Sequence, residues 1–193
     1  TVVKENQMQG VDKIQEESAK VTKLTDKITD YLAGLFSSGL LTEQQASQTA
    51  GLMYVLGDVE RIGNLSAGIA LSMKEKETNQ YKYSQEAMDE LAKCLKTLEK
   101  MFDSATKALR GDTTVELEKL MKRKDKIVNL DIMMRKSHIQ RVNKGKCKAS
   151  LTTPFTNILH LIDRMGNSCI NLADAATNEV ALKYFLPKDE MTM

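Results

Sequence analysis

The chain has 193 residues and a near-balanced charge, 28 Lys and Arg against 26 Asp and Glu for a formal net charge of +2, which argues against a nucleic-acid or anionic-lipid partner. No stretch approaches the roughly 20 apolar residues that cross a bilayer, and no signal peptide opens the chain. Two prolines, no tryptophan and 5% aromatic residues exclude a β-sandwich or an α/β enzyme and leave an all-α protein.

The first helix is expected from about Glu5 to Leu35, with Val21, Leu24, Ile28, Tyr31 and Leu35 on one face, broken by Ser37, Ser38 and Gly39. Thr42, followed three residues later by Gln45, forms a capping box that opens a second helix running to about Lys74. A polar linker around Asn79 leads to Ser84, the N-cap of a third helix. That helix shows a heptad stripe of Met88, Leu91, Leu95, Leu98, Phe102, Ala105 and Leu109 and stops at Gly111. Thr113 with Glu116 caps a fourth helix that extends to about Asn143. After Gly145, Thr153 and Pro154 supply an N-cap and first-turn proline for a fifth helix, which runs to about Tyr184, before Pro187.

Two of these helices carry the same motif. Glu60-Arg-Ile-Gly-Asn64 recurs as Asp163-Arg-Met-Gly-Asn167. The surrounding apolar residues Leu52, Val55, Val59, Ile62, Ile69 and Met73 recur as Phe155, Ile158, Ile162, Met165, Leu172 and Ala176; with Ser66 filling the one non-apolar step of the first series, they alternate in steps of three and four like the seam of a helical bundle. A weaker repeat links Asp26-Lys-Ile-Thr-Asp30 to Asp125-Lys-Ile-Val-Asn129. The chain therefore reads as a tandem duplication in one elongated body. Residues 1–111 (helices one to three) form the first repeat, and residues 112–193 (helices four and five with a short tail) the second. A sixth helix is short or missing, which would leave an apolar groove at Phe155, Ile158 and Leu172 open to the N-terminal arm or to a second copy.

The seams turn Glu60, Arg61, Asn64, His160, Asp163, Arg164 and Asn167 outward. Asp26 with Asp30, Glu60 with Asn64, Asp125 with Asn129 and Asp163 with Asn167 each stack an acid and a second oxygen ligand four residues apart. Such pairs on adjacent helices can converge on a hard cation, although the same spacing marks many solvated helix faces. Gly63 and Gly166 beside them allow a neighbouring helix to approach. His160 has Gly57 as its counterpart and falls outside the pattern, and His138 reads as a surface or capping residue. Cys94, Cys147 and Cys169 have no metal-type spacing and are expected as free thiols in a reducing compartment. There is no phosphate-binding glycine loop, no activated nucleophile and no Glu-x-x-His pair of a di-iron bundle, so no enzyme is expected and catalytic residues are none.

The motifs ending at Asn64 and Asn167 resemble the repeated signature of PhoU proteins, phosphate-signalling regulators built of two three-helix bundles with metal clusters at acid-x-x-x-Asp motifs. The resemblance covers Val21–Asp174. The segment from Ser137 to Arg141, through Gly145 and Cys147 to Phe155, is similar to the PhoU-like cytosolic tail of bacterial sodium/phosphate cotransporters. The stretch before the first motif, Thr42–Tyr54, departs from that of free-standing PhoU. The resemblance implies metal ligands at Asp26, Asp30, Glu60, Asn64, Asp125, Asn129, Asp163 and Asn167. Asn64, Asn129 and Asn167 stand where the family has carboxylates, so a weakly bound divalent cation, or none, replaces a tight cluster. The implied function is a non-enzymatic regulatory domain of a sodium/phosphate cotransporter, at the cytoplasmic face of the membrane but not inserted in it. Its partner is the transmembrane portion of the same or another chain, and a homo-oligomer is expected. The alternative is a free-standing adaptor of a phosphate ABC transporter or two-component system; a metal-dependent helical enzyme ranks third. Thr1 in place of an initiator Met suggests a piece of a longer polypeptide, and membrane-spanning stretches upstream would decide for the transporter.

Overall fold

The computed structural model describes residues 9–78, 83–111 and 117–177. These form α1 (Gln9–Ser37), α2 (Glu43–Thr78), α3 (Gln85–Arg110), α4 (Leu117–Asn143) and α5 (Thr152–Thr177), with a 3-10 turn at Ala149–Leu151 leading into α5. The expected all-α class and five long helices are found, with no strand among the described residues. The helix start at Glu5, the linker at Asn79, the Thr113–Glu116 capping box and the helix end at Tyr184 lie outside the described residues.

Local chemistry sets the described ends. The Thr42 backbone N–H donates to Gln45 Oε1 at 2.9 Å and the Gln45 N–H to Thr42 Oγ1 at 3.3 Å, a reciprocal capping box. Ser84 Oγ accepts from the Ala87 N–H at 3.2 Å. Gly111, at φ 80°, takes the left-handed conformation that lets its N–H reach the Ala108 carbonyl at 2.9 Å. The start of α5 differs from expectation. The 3-10 turn carries the chain into a helix that begins at Thr152, so Thr153 is inside the first turn rather than capping it. Pro154 still sits where its missing N–H costs no intrahelical bond.

Helix α5 is central and packs on α2, α3 and α4. It runs antiparallel to α2, as Asp58–Asn171, Gly68–Leu161 and Ser72–Asn157 contacts show. Exchanging the two repeats converts the Asp58–Asn171 pair into Leu161–Gly68, and both pairs touch, so α2 and α5 are related by an approximate twofold axis. Within each repeat the partner helix is also antiparallel. Ser18 reaches Asn64 and Asp12 reaches Lys74 between α1 and α2; Lys124 reaches Asp163 and His138 reaches Thr152 between α4 and α5.

Helix α3 packs against α5 and α4, and the 111/112 division runs between helices that pack on one another. This α3–α4–α5 unit contains most of the core. Phe155, Ile158 and Leu172 are completely buried, so the groove expected there is closed. The deepest positions of α3 include Leu91, Cys94, Met101 and Ala105, whereas Phe102 of the expected stripe is exposed. Two neighbouring helices bury a wider arc than one heptad seam and rotate its centre toward Cys94 and Met101.

The largest departure is in α1. Leu24 is 59% and Tyr31 67% exposed, and Ile28 is also exposed. The face turned to α2 instead carries Val11, Ser18, Thr25 and Leu32. Spaced seven apart, these form a seam in which only Ser18 and Thr25 are small and polar, and Thr25 satisfies its hydroxyl on the Val21 and Thr22 carbonyls. In α4, packed on two helices, Ile127 and Met134 are buried at the positions corresponding to exposed Ile28 and half-buried Leu35.

Candidate functional site

Of the repeated polar residues, Asp26 and Asp30 on α1, Asn64, Asp125, Asn129 and Asn167 are exposed, while Glu60 on α2 is half-buried and Asp163 turns toward the neighbouring helix. Asn64 uses Oδ1 to accept a hydrogen bond from Ser18 Oγ at 3.2 Å. In the second repeat, Asp125 and Asn129 are exposed on the outer face of α4 in a shallow groove with Lys122, Lys126, Leu130 and Met133.

Asp163 points the other way, toward Lys124. The Lys124 ammonium donates to the Asp163 carboxylate and, at 2.8 Å, to the Asp163 backbone carbonyl. The Lys124 side chain is only 12% exposed. Its stem crosses Gly166, where an added Cβ would lie 3.0 Å from Lys124 Cδ. The glycine is therefore needed for a lysine stem as much as for a helix backbone. Asp163 already holds a cation, and it is covalently part of the chain. Among the described residues, no three His, Cys, Asp or Glu side chains come together as a metal-holding group. The residues present do not fit the family's metal cluster. Lys124 belongs to the basic stretch Lys119–Lys126, where a lysine looks solvated until the facing helix is known.

Two buried polar clusters were not evident from spacing. At the α2–α5 contact, Asp58 is buried with its oxygens 3.3 and 3.1 Å from Asn171 Nδ2 and 3.3 Å from Arg61 Nη1. Its counterpart is Leu161, so the twofold carries a carboxylate at one end and a leucine at the other. Asp58 stands two residues before the Glu60–Asn64 motif, and nothing in the spacing marks it as buried.

The second cluster lies where α4 meets the start of α5. His138, expected as a surface or capping residue, is 2% exposed, stacks on Phe155 at 4.9 Å and pairs Nε2 with Thr152 Oγ1 at 2.9 Å. Burial, with the Arg141 charge as a smaller contribution, holds its pKa below the ordinary imidazole value. Arg141 is buried as well and donates from Nη1 to Ser137 Oγ at 2.6 Å, with Glu90 at 3.5 Å. Burial raises the Glu90 carboxyl pKa, an effect that Arg141 opposes. These groups lock the α4–α5 turn and the start of α3 into one unit. The three cysteines are free, Cys94 and Cys169 buried and Cys147 half-buried.

Fold and site together define an antiparallel helical bundle with an internal repeat, whose buried polar groups join helix to helix. The family model of the PhoU domain matches residues 91–176, from within α3 to the end of α5, the three-helix unit that α5 organises. No curated protein and no solved structure matches the chain. No described helix is long and apolar enough to cross a membrane.

Proposed function

We propose that this chain is a non-enzymatic regulatory domain of phosphate homeostasis, acting through protein contacts as the cytosolic part of a sodium/phosphate cotransporter. The observation that carries the reading is the PhoU-domain match over the α3–α4–α5 bundle. The PhoU family is one of regulators and adaptors. The buried clusters support a structural role: Asp58, His138, Arg141 and Lys124 each have a partner on another helix or in their own turn. The segment from Ser137 to Phe155, which carries the transporter resemblance, forms the end of α4, its turn and the start of α5.

Deleting the coding segment for residues 91–176 in the native host, then measuring radiolabelled phosphate uptake in replete and depleted medium, tests the reading. Uptake should lose its response to phosphate supply. An unchanged response refutes the regulatory role. Pull-down of a chain with several membrane-spanning stretches, or their presence in the same reading frame upstream, supports the transporter assignment. Capture of a sensor kinase or ABC-transporter subunit instead assigns the domain to a free-standing adaptor.

A further inference from the structure

The outer face of α4 carries an apolar row that no other described helix covers. Met121, Val128, Ile132 and Ile139 are exposed, and Asp125 and Arg135 complete the row in alternating steps of four and three. That is a helix-pairing seam, turned about a third of a turn from buried Ile127 and Met134. The row has no counterpart in α1, where the positions matching Val128 and Ile132 are Thr29 and Ala33.

From the order of residues along it, we infer that this seam is the interface between two copies of the chain, paired through antiparallel α4 helices about a twofold axis at the level of Leu130. In that register Met121 lies opposite the partner's Ile139, Val128 opposite the partner's Ile132, and Asp125 opposite the partner's Arg135. The twofold repeats all three pairs, as an isologous contact requires. The row is thus complementary to its own reversal, apolar against apolar and acid against base. A lipid surface would accept the apolar row but would have to take in Asp125 and Arg135 as well, which is unfavourable. An antiparallel copy sets these two charges against one another. Two features oppose pairing. Lys122 and Lys136 approach each other at the solvent rim, where salt and water screen them, and Asp131 nears the axis, where Arg135 Nε holds it at 2.8 Å. One helix face is at the small end of specific interfaces, so the expected association is weak.

Sedimentation equilibrium of the whole chain tests this with Asp125→Arg, Arg135→Asp and the charge-reversed double variant. Both residues are solvent-accessible, so circular dichroism should report an unchanged helical fold. The wild type should form dimers in the micromolar range, each single variant should raise Kd about tenfold or more, and the double variant should recover most of the loss. A strictly monomeric wild type, a dimer indifferent to both single changes, or a double variant no better than the singles would each overturn the inference. It does not depend on the phosphate reading.

Discussion

Gly63 and Gly166 occupy the same place in the two repeats, yet replacing each by alanine should change stability in opposite directions. Alanine in a helix interior is favoured over glycine by about 1 kcal/mol, mainly because it has less backbone freedom to lose. At Gly63 the new methyl would sit 3.6 Å from Ser18 Oγ and from Val21 Cγ1, ordinary contact, so that gain should be realised. In a chain of this size it corresponds to a rise in Tm of roughly 2–4 °C. At Gly166 the methyl would lie 3.0 Å from Lys124 Cδ. A free lysine would swing aside. This one is anchored by its ammonium to the Asp163 carboxylate and carbonyl, so the stem cannot yield without weakening those bonds. Overpacking of this kind costs roughly 1–3 kcal/mol, which outweighs the backbone gain and leaves a net loss of about 1 kcal/mol. Shortening the lysine removes the obstacle. In a Lys124→Ala background, Gly166→Ala should stabilise by about 1 kcal/mol, giving a coupling of roughly 2 kcal/mol across the cycle. Urea unfolding of the four proteins, with Gly63→Ala alongside, measures it. If Gly166→Ala stabilises the wild type as much as Gly63→Ala does, the anchored-lysine account is wrong.

The Lys124–Asp163 pair should be asymmetric. Asp163→Asn leaves a nearly buried ammonium without its carboxylate and should cost about 2–3 kcal/mol, whereas Lys124→Met leaves a carboxylate that water reaches and should cost about 1 kcal/mol or less, both read from urea midpoints. Manganese, zinc or ferrous ions should leave the wild-type Tm unchanged; a rise of several degrees, as mass action gives for a ligand of the folded state, would reinstate a metal site. His138 should give stability a pH slope. Its folded pKa lies below the ordinary value of 6.5, so its contribution is complete above that pH and declines as pH falls toward the folded pKa, because the unfolded chain takes up the proton first. Glu90, raised by burial, acts with the opposite sign above its ordinary 4.5, so the difference between wild type and His138→Gln isolates the histidine; no difference in slope between pH 5 and 7 would reject the assignment. Native alkylation should stop at Cys147, since burial pushes Cys94 up to about 11 and Cys169 up to about 12, while denaturant should release all three thiols; rapid native labelling of either buried cysteine would contradict this packing.

The helix count and described caps were legible because they depend on chemistry within a few residues, such as Thr42 with Gln45 or Ser84 with the Ala87 N–H. The repeat was legible because both copies kept their seams. What failed depends on neighbours distant in sequence. Leu24, Ile28 and Tyr31 form the more hydrophobic stripe of α1, but α1 packs on α2 through Val11, Ser18, Thr25 and Leu32. Ser18 and Thr25, at the middle of that seam, are polar and hide it from a hydrophobic pattern. His138 read as a surface or capping residue because its partners, Thr152 and Phe155, belong to the next helix. Lys124 was lost in a basic run for the same reason.

The two repeats show how context decides burial when local sequence is shared. Leu56 and Val59 on α2 are half-buried, whereas their counterparts Leu159 and Ile162 on α5 are almost fully buried. Their chemistry is alike and their neighbourhoods are not: α5 packs on three helices, and the third, α3, covers the arc that α2 leaves accessible. The acid of the motif diverges in step. Glu60 is half-buried on α2, where the position matching Lys124 is Thr25, while its counterpart Asp163 in the closed unit is neutralised by Lys124. A carboxylate moved toward a drier contact needs a counter-charge, and a lysine on the facing helix provides one without recruiting an ion from solution. Duplication thus preserved the helix seams, while the packing of α3 determined which copy of the motif became a structural ion pair.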